Sequence, residues 1–257
     1  MTTVDLNSDL GESFGAYTIG NDEQVLSFIS SANVACGYHA GDHNVMMKTV
    51  KEAKQQGVSI GAHPGYQDLA GFGRRAMNVS PEEVFNLVTY QIGALKGAAA
   101  AQGAWVHHVK PHGALYNTAA KDSKVAEAIA AAVKAVDAEL VLYGLAGSEL
   151  VKAGEAAGLT VAQEVFADRT YQPDGSLTPR TEANAMIHDA DIAVDRVIRM
   201  IKEQKVEAVD GRDITIQADT ICVHGDEPEA LHFVQKLRER ILQEDIRIER
   251  VGANEHV

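Results

Sequence analysis

Short polar motifs recur along this chain wherever a hydrophobic run ends, and this recurrence is its most constraining feature. The motifs are DLNSDLGE (5–12), NVACGYHAGD (33–42), GAHPGY (61–66), HVKPHGALY (108–116), EVFADRTY (164–171) and CVHGD (222–226). Amphipathic segments with apolar residues spaced near 3.6 lie between them, as at Val125, Ile129 and Val133. Strands and helices that alternate in this way predict an α/β fold with a parallel sheet. In a (β/α) barrel, the loops after several strands build one active site, so the chain is predicted to be an enzyme.

The hydrophobic runs predict about seven parallel strands within one domain. The predicted strands are 3–7, 33–36, 58–62, 105–110, 139–144, 160–166 and 220–224. Segment 246–251 is either an eighth strand or a C-terminal edge, and 206–218 resembles a hairpin insertion. No Ser/Gly-rich linker or charge block divides residues 1–257, so we predict a single barrel domain. The polar segment 167–181 has the composition of a lid or binding loop.

Composition narrows the class of partner. The chain has 23 basic and 36 acidic residues, a formal net charge of −13, which disfavours nucleic acid and anionic membrane surfaces as partners. No apolar run reaches the roughly 20 residues of a spanning helix, and the N-terminus lacks a basic segment followed by an apolar one. Two cysteines are too few for a disulfide framework. We therefore expect a cytoplasmic protein.

Histidines stand at the ends of four predicted strands. They are His39, His63, His112 and His224, each beside small or turn residues. Together with Asp9 or Asp42 they could bind a divalent metal, or they could act as acid, base and polarising groups without one. No HExxH or similarly spaced pair decides between these alternatives. The interpretation favoured here is the metal-free role.

Acidic residues crowd the end of the first predicted strand. Strand alternation places Asp5, Asn7 and Asp9 on one face, and a turn at Gly11 exposes Asp9 and Glu12. Carboxylates crowded at a barrel mouth can share protons, which raises one pKa and suits a general base. Asp9 and Glu12 are therefore the predicted acidic catalytic residues.

Basic residues supply the complementary charge. Lys110 closes a buried strand and needs an anionic partner, either a substrate oxygen or a structural salt bridge to Asp9 or Glu12. Arg74, in the glycine-rich AGFGRR segment, could clamp a carboxylate. Asp168 and Arg169 follow the sixth strand in the same manner as Lys110 follows the fourth.

The motifs together resemble the LamB/YcsF family from about residue 5 to about residue 226. The matching segments include DLNSDLGESFGAY, SSANVACGYHAGD, IGAHPGYQD, HVKPHGALYN, GLAGSEL, EVFADRTY and CVHGD, in the order of the family. Ser13 and Thr170 stand where glycine is expected. The resemblance implies a barrel like that of the glycoside hydrolases and carbohydrate deacetylases. It also implies ATP-driven opening of 5-oxoproline (pyroglutamate) to L-glutamate, performed with two partner subunits, B and C.

The resemblance further implies roles for the polar residues. Asp9 or Glu12 would activate water, histidines would orient it or protonate the ring nitrogen, and Lys110 would stabilise negative charge. The histidines in that role are His39, His63 and His112. The expected substrate contacts are Asn7, Asp42, Arg74, Asp168, Arg169, His224 and Asp226. ATP, with Mg²⁺, would be consumed by the complex. The chain has no GxxxxGK[ST] phosphate loop, which fits a division of labour in which the partner subunits handle ATP.

Two alternatives stay open at this point. The histidine and aspartate motifs also suit a stand-alone metal-dependent deacetylase or amidohydrolase. A non-catalytic scaffold subunit is the other alternative, although docking alone requires no lysine and histidines at strand ends.

Overall fold

The computed structural model describes residues 2–223 and 228–252, and its centre is a closed barrel of parallel strands. The strands are β1 (Thr3–Leu10), β2 (Ser31–Ala35), β3 (Ser59–His63), β4 (His108–Val109), β5 (Val141–Leu145), β6 (Val161–Phe166), β7 (Lys205–Glu207), β8 (Asp213–Thr215), β9 (Thr220–Cys222) and β10 (Arg247–Ile248). Strands β1 to β6 pair in sequence, and β9 pairs with both β6 and β1, which closes the barrel. The predicted barrel of about seven parallel strands is confirmed.

The remaining strands are accessory. Strands β7 and β8 form an antiparallel hairpin, as the sequence predicts for this insertion. Strand β10 pairs in parallel with the beginning of β1, where Thr3 lies opposite Arg247. The C-terminal segment is therefore an edge added to β1 and takes no part in closing the barrel.

Helices cover the outside of the barrel. They are α1 (Asp22–Leu26), α2 (His43–Gln56), α3 (Pro81–Ala101), α4 (Gly113–Ala119), α5 (Ser123–Val136), α6 (Glu149–Ala157), α7 (Ala190–Glu203) and α8 (Pro228–Gln243). Helix α3 begins at the predicted capping box, in which Ser80 and Glu83 satisfy each other's backbone N–H groups. Helix α2 ends at Gly57, whose φ of 70° is the left-handed conformation that glycine adopts without strain. Within the described ranges no helix combines the length and the apolar character needed to cross a membrane.

The apolar core and the barrel interior differ in chemistry. Core residues such as Ile129 and Val133 of α5 are fully buried between the helices and the barrel. The interior of the barrel instead holds polar side chains, and Asp5, Asn7 and Glu164 are completely buried there. Buried polar groups must be paired to be tolerated, so this interior requires a hydrogen-bonded network.

Candidate active site at the barrel mouth

Two asparagines form the support beneath the barrel mouth. Asn33 on β2 donates from Nδ2 to Oδ1 of Asn7 (2.8 Å) and to Oδ1 of Asp9 (2.9 Å). Its own Oδ1 lies 2.8 Å from Nε2 of His108. Because both ends of the amide are engaged, the Asn33 side chain has one orientation, and it holds Asp9 in place from below.

Lys110 is the centre of the network. Its Nζ lies 3.0 Å from Oδ1 of Asp9 and 2.7 Å from Oε1 of Glu164, with Asn7 Oδ1 and Cys222 Sγ each at 3.1 Å. Burial alone would lower the pKa of Lys110, but its neighbours Asp9, Cys222 and Glu164 raise it well above its usual value. The ammonium is therefore a fixed buried cation at the floor of the site.

Asp9 is held by cationic and histidine partners on both of its carboxylate oxygens. Oδ1 accepts hydrogen bonds from Lys110 Nζ and Asn33 Nδ2, and Oδ2 lies 3.2 Å from Nε2 of His63. Burial would raise the pKa of Asp9, but His63 and Lys110 together hold it well below its usual value. This carboxylate is therefore ionised, and it is oriented by three side chains.

Three histidines stand above Asp9. Nδ1 of His63 lies 2.7 Å from the carbonyl oxygen of Lys110, and Nε2 of His112 lies 2.8 Å from that of Phe72. The remaining nitrogens, His63 Nε2 and His112 Nδ1, are 3.0 Å apart. The His39 ring stacks on His112 with 3.7 Å between ring centroids. Burial lowers the pKa of His39 and of His112 well below the usual value.

Glu12 completes the group. Its Oε1 lies 3.2 Å from Nε2 of His39 and 3.7 Å from Nδ1 of His112. Burial, followed by the negative charge of Asp9, raises the pKa of Glu12. The preceding Gly11 has φ of 71° and donates its N–H to Asp22 at 2.8 Å. This turn directs the chain away from β1 and brings Glu12 over the histidines.

A cavity of about 770 Å³ opens above these side chains. The charged and histidine side chains that line it are Asp9, Glu12, His63, Arg74, Lys110, His112, Lys121, Asp122, Arg169 and Arg180. The predicted binding loop 167–181 contributes Arg169 and residues 176–180 to the lining. Arg169 also donates to the carbonyl oxygens of Thr178 (2.5 Å) and Ala185 (3.4 Å), which fixes the shape of that loop. The cavity therefore joins the acidic and histidine residues to a set of cations.

The structure brings the six predicted catalytic residues into one connected group. They are Asp9, Glu12, His39, His63, Lys110 and His112. Of the predicted substrate contacts, Arg74 and Arg169 line the cavity, whereas Asn7 lies below it and holds Lys110. The catalytic and binding roles of all these residues stay predictions.

Two other predicted substrate contacts lie elsewhere. Asp42 caps helix α2, accepting the N–H groups of Asn44 and Val45 at 2.9 Å, and it also accepts from Gly15. Its carboxylate therefore organises backbone. Asp168 follows β6 but is not among the cavity-lining residues. His224 and Asp226 lie outside the described residues.

The sequence interpretation did not single out Glu164 and Tyr116. Glu164 on β6 pairs with Lys110 through Oε1, and it accepts the Tyr116 hydroxyl on Oε2 at 2.6 Å. One signal could have indicated Glu164: it is a charged residue within a predicted strand, followed directly by the apolar residues Val165 and Phe166. Such a residue needs a buried partner, but the sequence does not say which strand supplies it.

Comparison with known proteins gives consistent results. The family model described as "LamB/YcsF family" matches residues 4–256. A protein of Oceanobacillus iheyensis, named as the A subunit of 5-oxoprolinase, is 62% identical over 247 residues, covering 96% of this chain and 96% of the relative.

Solved structures agree with this relationship. The crystal structure of a lactam utilization protein from Thermus thermophilus is similar with a TM-score of 0.92 and 46% identity, covering 96% of this chain and 99% of that one. A mutant of the peptidoglycan deacetylase PdaC from Bacillus subtilis shares the fold alone, at a TM-score of 0.50 and 11% identity, covering 98% of this chain and 88% of that one. The chain belongs to the LamB/YcsF family.

Proposed function

We propose that this chain is the A subunit of an ATP-dependent 5-oxoprolinase, which opens the lactam ring of 5-oxoproline to give L-glutamate. The observation that carries the proposal is the 62% identity, over nearly the whole of both chains, to a relative of that name. The cavity supports it, because acidic, histidine and cationic side chains line the same space. Opening a cyclic amide requires a water nucleophile, a proton for the leaving nitrogen and stabilisation of the carbonyl oxygen.

ATP supplies the driving force in this proposal. The terminal phosphoryl group is transferred to the lactam oxygen with release of ADP, which makes the ring carbon more electrophilic. Water adds to that carbon, the C–N bond breaks and the ring nitrogen takes a proton, which leaves an acyl phosphate. A second water hydrolyses this acyl phosphate to the carboxylate and phosphate. The chain has no GxxxxGK[ST] loop, so we assign ATP and its Mg²⁺ to the partner subunits B and C. We place the reaction in the cytoplasm, where ATP is available.

The side chains at the barrel mouth suit the steps that follow activation. Lys110, held as a buried cation, is positioned to stabilise negative charge on the substrate. Asp9 or Glu12 accepts a proton from water, and His63 or His112 delivers one to the ring nitrogen. Arg74 and Arg169, which line the same cavity, are the proposed partners of the substrate carboxylate.

Reconstitution with the partner subunits tests the proposal. We expect glutamate to form from 5-oxoproline and ATP only when this chain is present together with subunits B and C. The measurement is glutamate release over time, with omission of each component chain in turn as the control. Glutamate formed at the same rate without this chain would contradict the proposal. Tight ATP binding by the isolated chain would contradict the assignment of ATP to the partners.

A further inference from the structure

Four side chains at the barrel mouth bring possible ligand atoms close together. Glu12, His39, His63 and His112 each provide one such atom, and all four atoms lie within 4.8 Å of one another. The three histidines are buried, and the glutamate side chain is 13% exposed. Imidazole nitrogens and carboxylate oxygens are the usual protein ligands of first-row transition-metal ions.

Backbone carbonyl groups determine which histidine nitrogens carry hydrogen. A carbonyl oxygen only accepts, so His63 carries its hydrogen on Nδ1, facing Lys110, and His112 carries its hydrogen on Nε2, facing Phe72. In the neutral rings, the other two nitrogens, His63 Nε2 and His112 Nδ1, therefore carry lone pairs 3.0 Å apart, and Oδ2 of Asp9 lies 3.2 Å from the same His63 nitrogen. Two lone pairs at this distance repel unless a cation lies between them.

The same carbonyl contacts are typical of histidines that bind metal. Metal-binding histidines almost always donate their second ring N–H to a carbonyl or carboxylate group, which fixes both the tautomer and the ring orientation. His63 and His112 both have such a partner before any ion is considered.

The separations between the donor atoms fit a common ion. Two donors that are each about 2.1 Å from one tetrahedral ion lie roughly 3.4 Å apart. The distances are 3.0 Å between His63 and His112, 3.2 Å between His39 and Glu12, and 3.7 Å between His112 and Glu12. All three lie within about half an ångström of this separation, and the widest separation in the group, at most 4.8 Å, requires an inward shift of up to roughly 1.4 Å.

We propose that Glu12, His39, His63 and His112 form a binding site for one first-row divalent transition-metal ion, with Zn²⁺ preferred over Mn²⁺. Three nitrogen donors disfavour Mg²⁺, which requires oxygen ligands, so this site is distinct from the Mg²⁺ that accompanies ATP. The inference rests on side-chain geometry and does not depend on the proposed function. Where that function holds, Glu12 is occupied as a ligand, and Asp9 is the carboxylate that accepts the proton of water.

Metal binding by the purified full chain tests this inference without turnover or partner subunits. After dialysis against a chelator, we expect one Zn²⁺ per chain by calorimetry, visible absorption bands from bound Co²⁺, and no saturable binding of Mg²⁺. Glu12→Gln keeps the shape of the side chain but removes a charged ligand, so it should weaken Zn²⁺ binding by at least about 100-fold, the upper limit of what loss of an outer hydrogen-bond partner causes. His63→Ala should abolish the Co²⁺ bands.

His43→Ala is the matched control, because His43 is exposed at the beginning of α2 and does not belong to the group. It should bind Zn²⁺ as the unchanged chain does. Circular dichroism and thermal unfolding test whether each variant is folded. If His63→Ala does not fold, the Zn²⁺ affinity of Glu12→Gln alone tests the metal site. Absence of stoichiometric Zn²⁺ and Co²⁺ binding, or an unchanged Zn²⁺ affinity in Glu12→Gln, would overturn the metal site and leave a shared proton between His63 and His112.

Discussion

Asp5 and Asp9 lie four residues apart on β1, and both point into the barrel, yet their surroundings are opposite. Asp5 accepts four hydrogen bonds from neutral hydroxyl groups, at 2.6 to 3.0 Å. The donors are Ser30, Ser31, Tyr143 and Thr220. Asp9 instead faces Lys110 and His63. Burial therefore raises the pKa of Asp5, whereas His63 and Lys110 lower that of Asp9 despite its burial.

The difference separates a structural layer from a chemical one. Hydroxyl groups can satisfy a buried carboxyl group at low electrostatic cost, and they connect β1 to β2, β5 and β9 at the lower end of the barrel. Cations at the carboxyl ends of the strands instead create a charged surface at the cavity. Parallel barrels commonly divide stability and chemistry between their two ends in this way. The comparison predicts that matched substitutions at the two ends fail in different ways.

The largest combined effect is expected from Lys110→Met. Removing the ammonium leaves the carboxylates of Asp9 and Glu164 without their shared cation, so the free energy of unfolding should fall by about 3–5 kcal/mol. Turnover in the reconstituted complex should also fall, by about 100- to 1,000-fold. Chemical denaturation and glutamate release measure the two effects.

Lys124→Met is the control for this substitution, because Lys124 is exposed at the beginning of α5. It should change neither quantity. Normal stability in Lys110→Met would show that Asp9 and Glu164 do not depend on the cation, contrary to the network described here.

Asp5→Asn should reduce stability and spare catalysis. In this variant an amide nitrogen replaces one carboxylate oxygen and faces hydroxyl groups that donated to that oxygen. Hydrogen bonds to a charged group are therefore lost, which should lower the free energy of unfolding by about 2 kcal/mol. We expect a lower midpoint in urea, with kcat and KM of the folded fraction within about twofold of the unchanged chain. A large fall in kcat without a change in the urea midpoint would remove the distinction between the two ends of β1.

The smallest expected effect concerns Asp22, which accepts the N–H of Gly11 beside the site. Burial raises its pKa to about 6, from 3.8. The folded state therefore favours the protonated form, and this contribution to stability is complete below pH 3.8 and is lost as pH rises through about 6. Between pH 5 and pH 8 the loss is about 1 kcal/mol.

Asp22→Asn keeps an acceptor for Gly11 and has no ionisation. Its free energy of unfolding should therefore fall less from pH 5 to pH 8 than that of the unchanged chain, by about 1 kcal/mol. Urea unfolding at the two pH values measures the difference. Parallel pH dependence in the two proteins would contradict a buried carboxylate at this position.

Much of the architecture follows from local sequence signals. Hydrophobic runs predict all seven barrel strands, the capping box at Ser80 predicts the beginning of α3, and alternation along β1 predicts that Asp5, Asn7 and Asp9 share a face. Motifs at strand ends predict that the catalytic candidates converge, because every parallel strand ends at the same edge of a barrel.

The unpredicted features depend on distances across the barrel. The Lys110–Glu164 pair joins β6 to the residue after β4, and these are not neighbouring strands, so no spacing in the sequence indicates it. The sequence predicts Asp42 only as a metal ligand or substrate contact, and the contacts to Asn44 and Val45 that make it the cap of α2 become visible only in the folded chain. The tautomers of His63 and His112 likewise depend on carbonyl groups brought close by folding.

The central claim is that chemistry resides at the upper end of β1, and Asp9→Asn tests it most directly. The amide keeps an oxygen for Lys110 and removes the charge. With subunits B and C, 5-oxoproline and ATP, we expect glutamate release to fall by about 100- to 10,000-fold, with the thermal unfolding midpoint within a few degrees of the unchanged chain. Full activity in a folded Asp9→Asn variant would contradict the account.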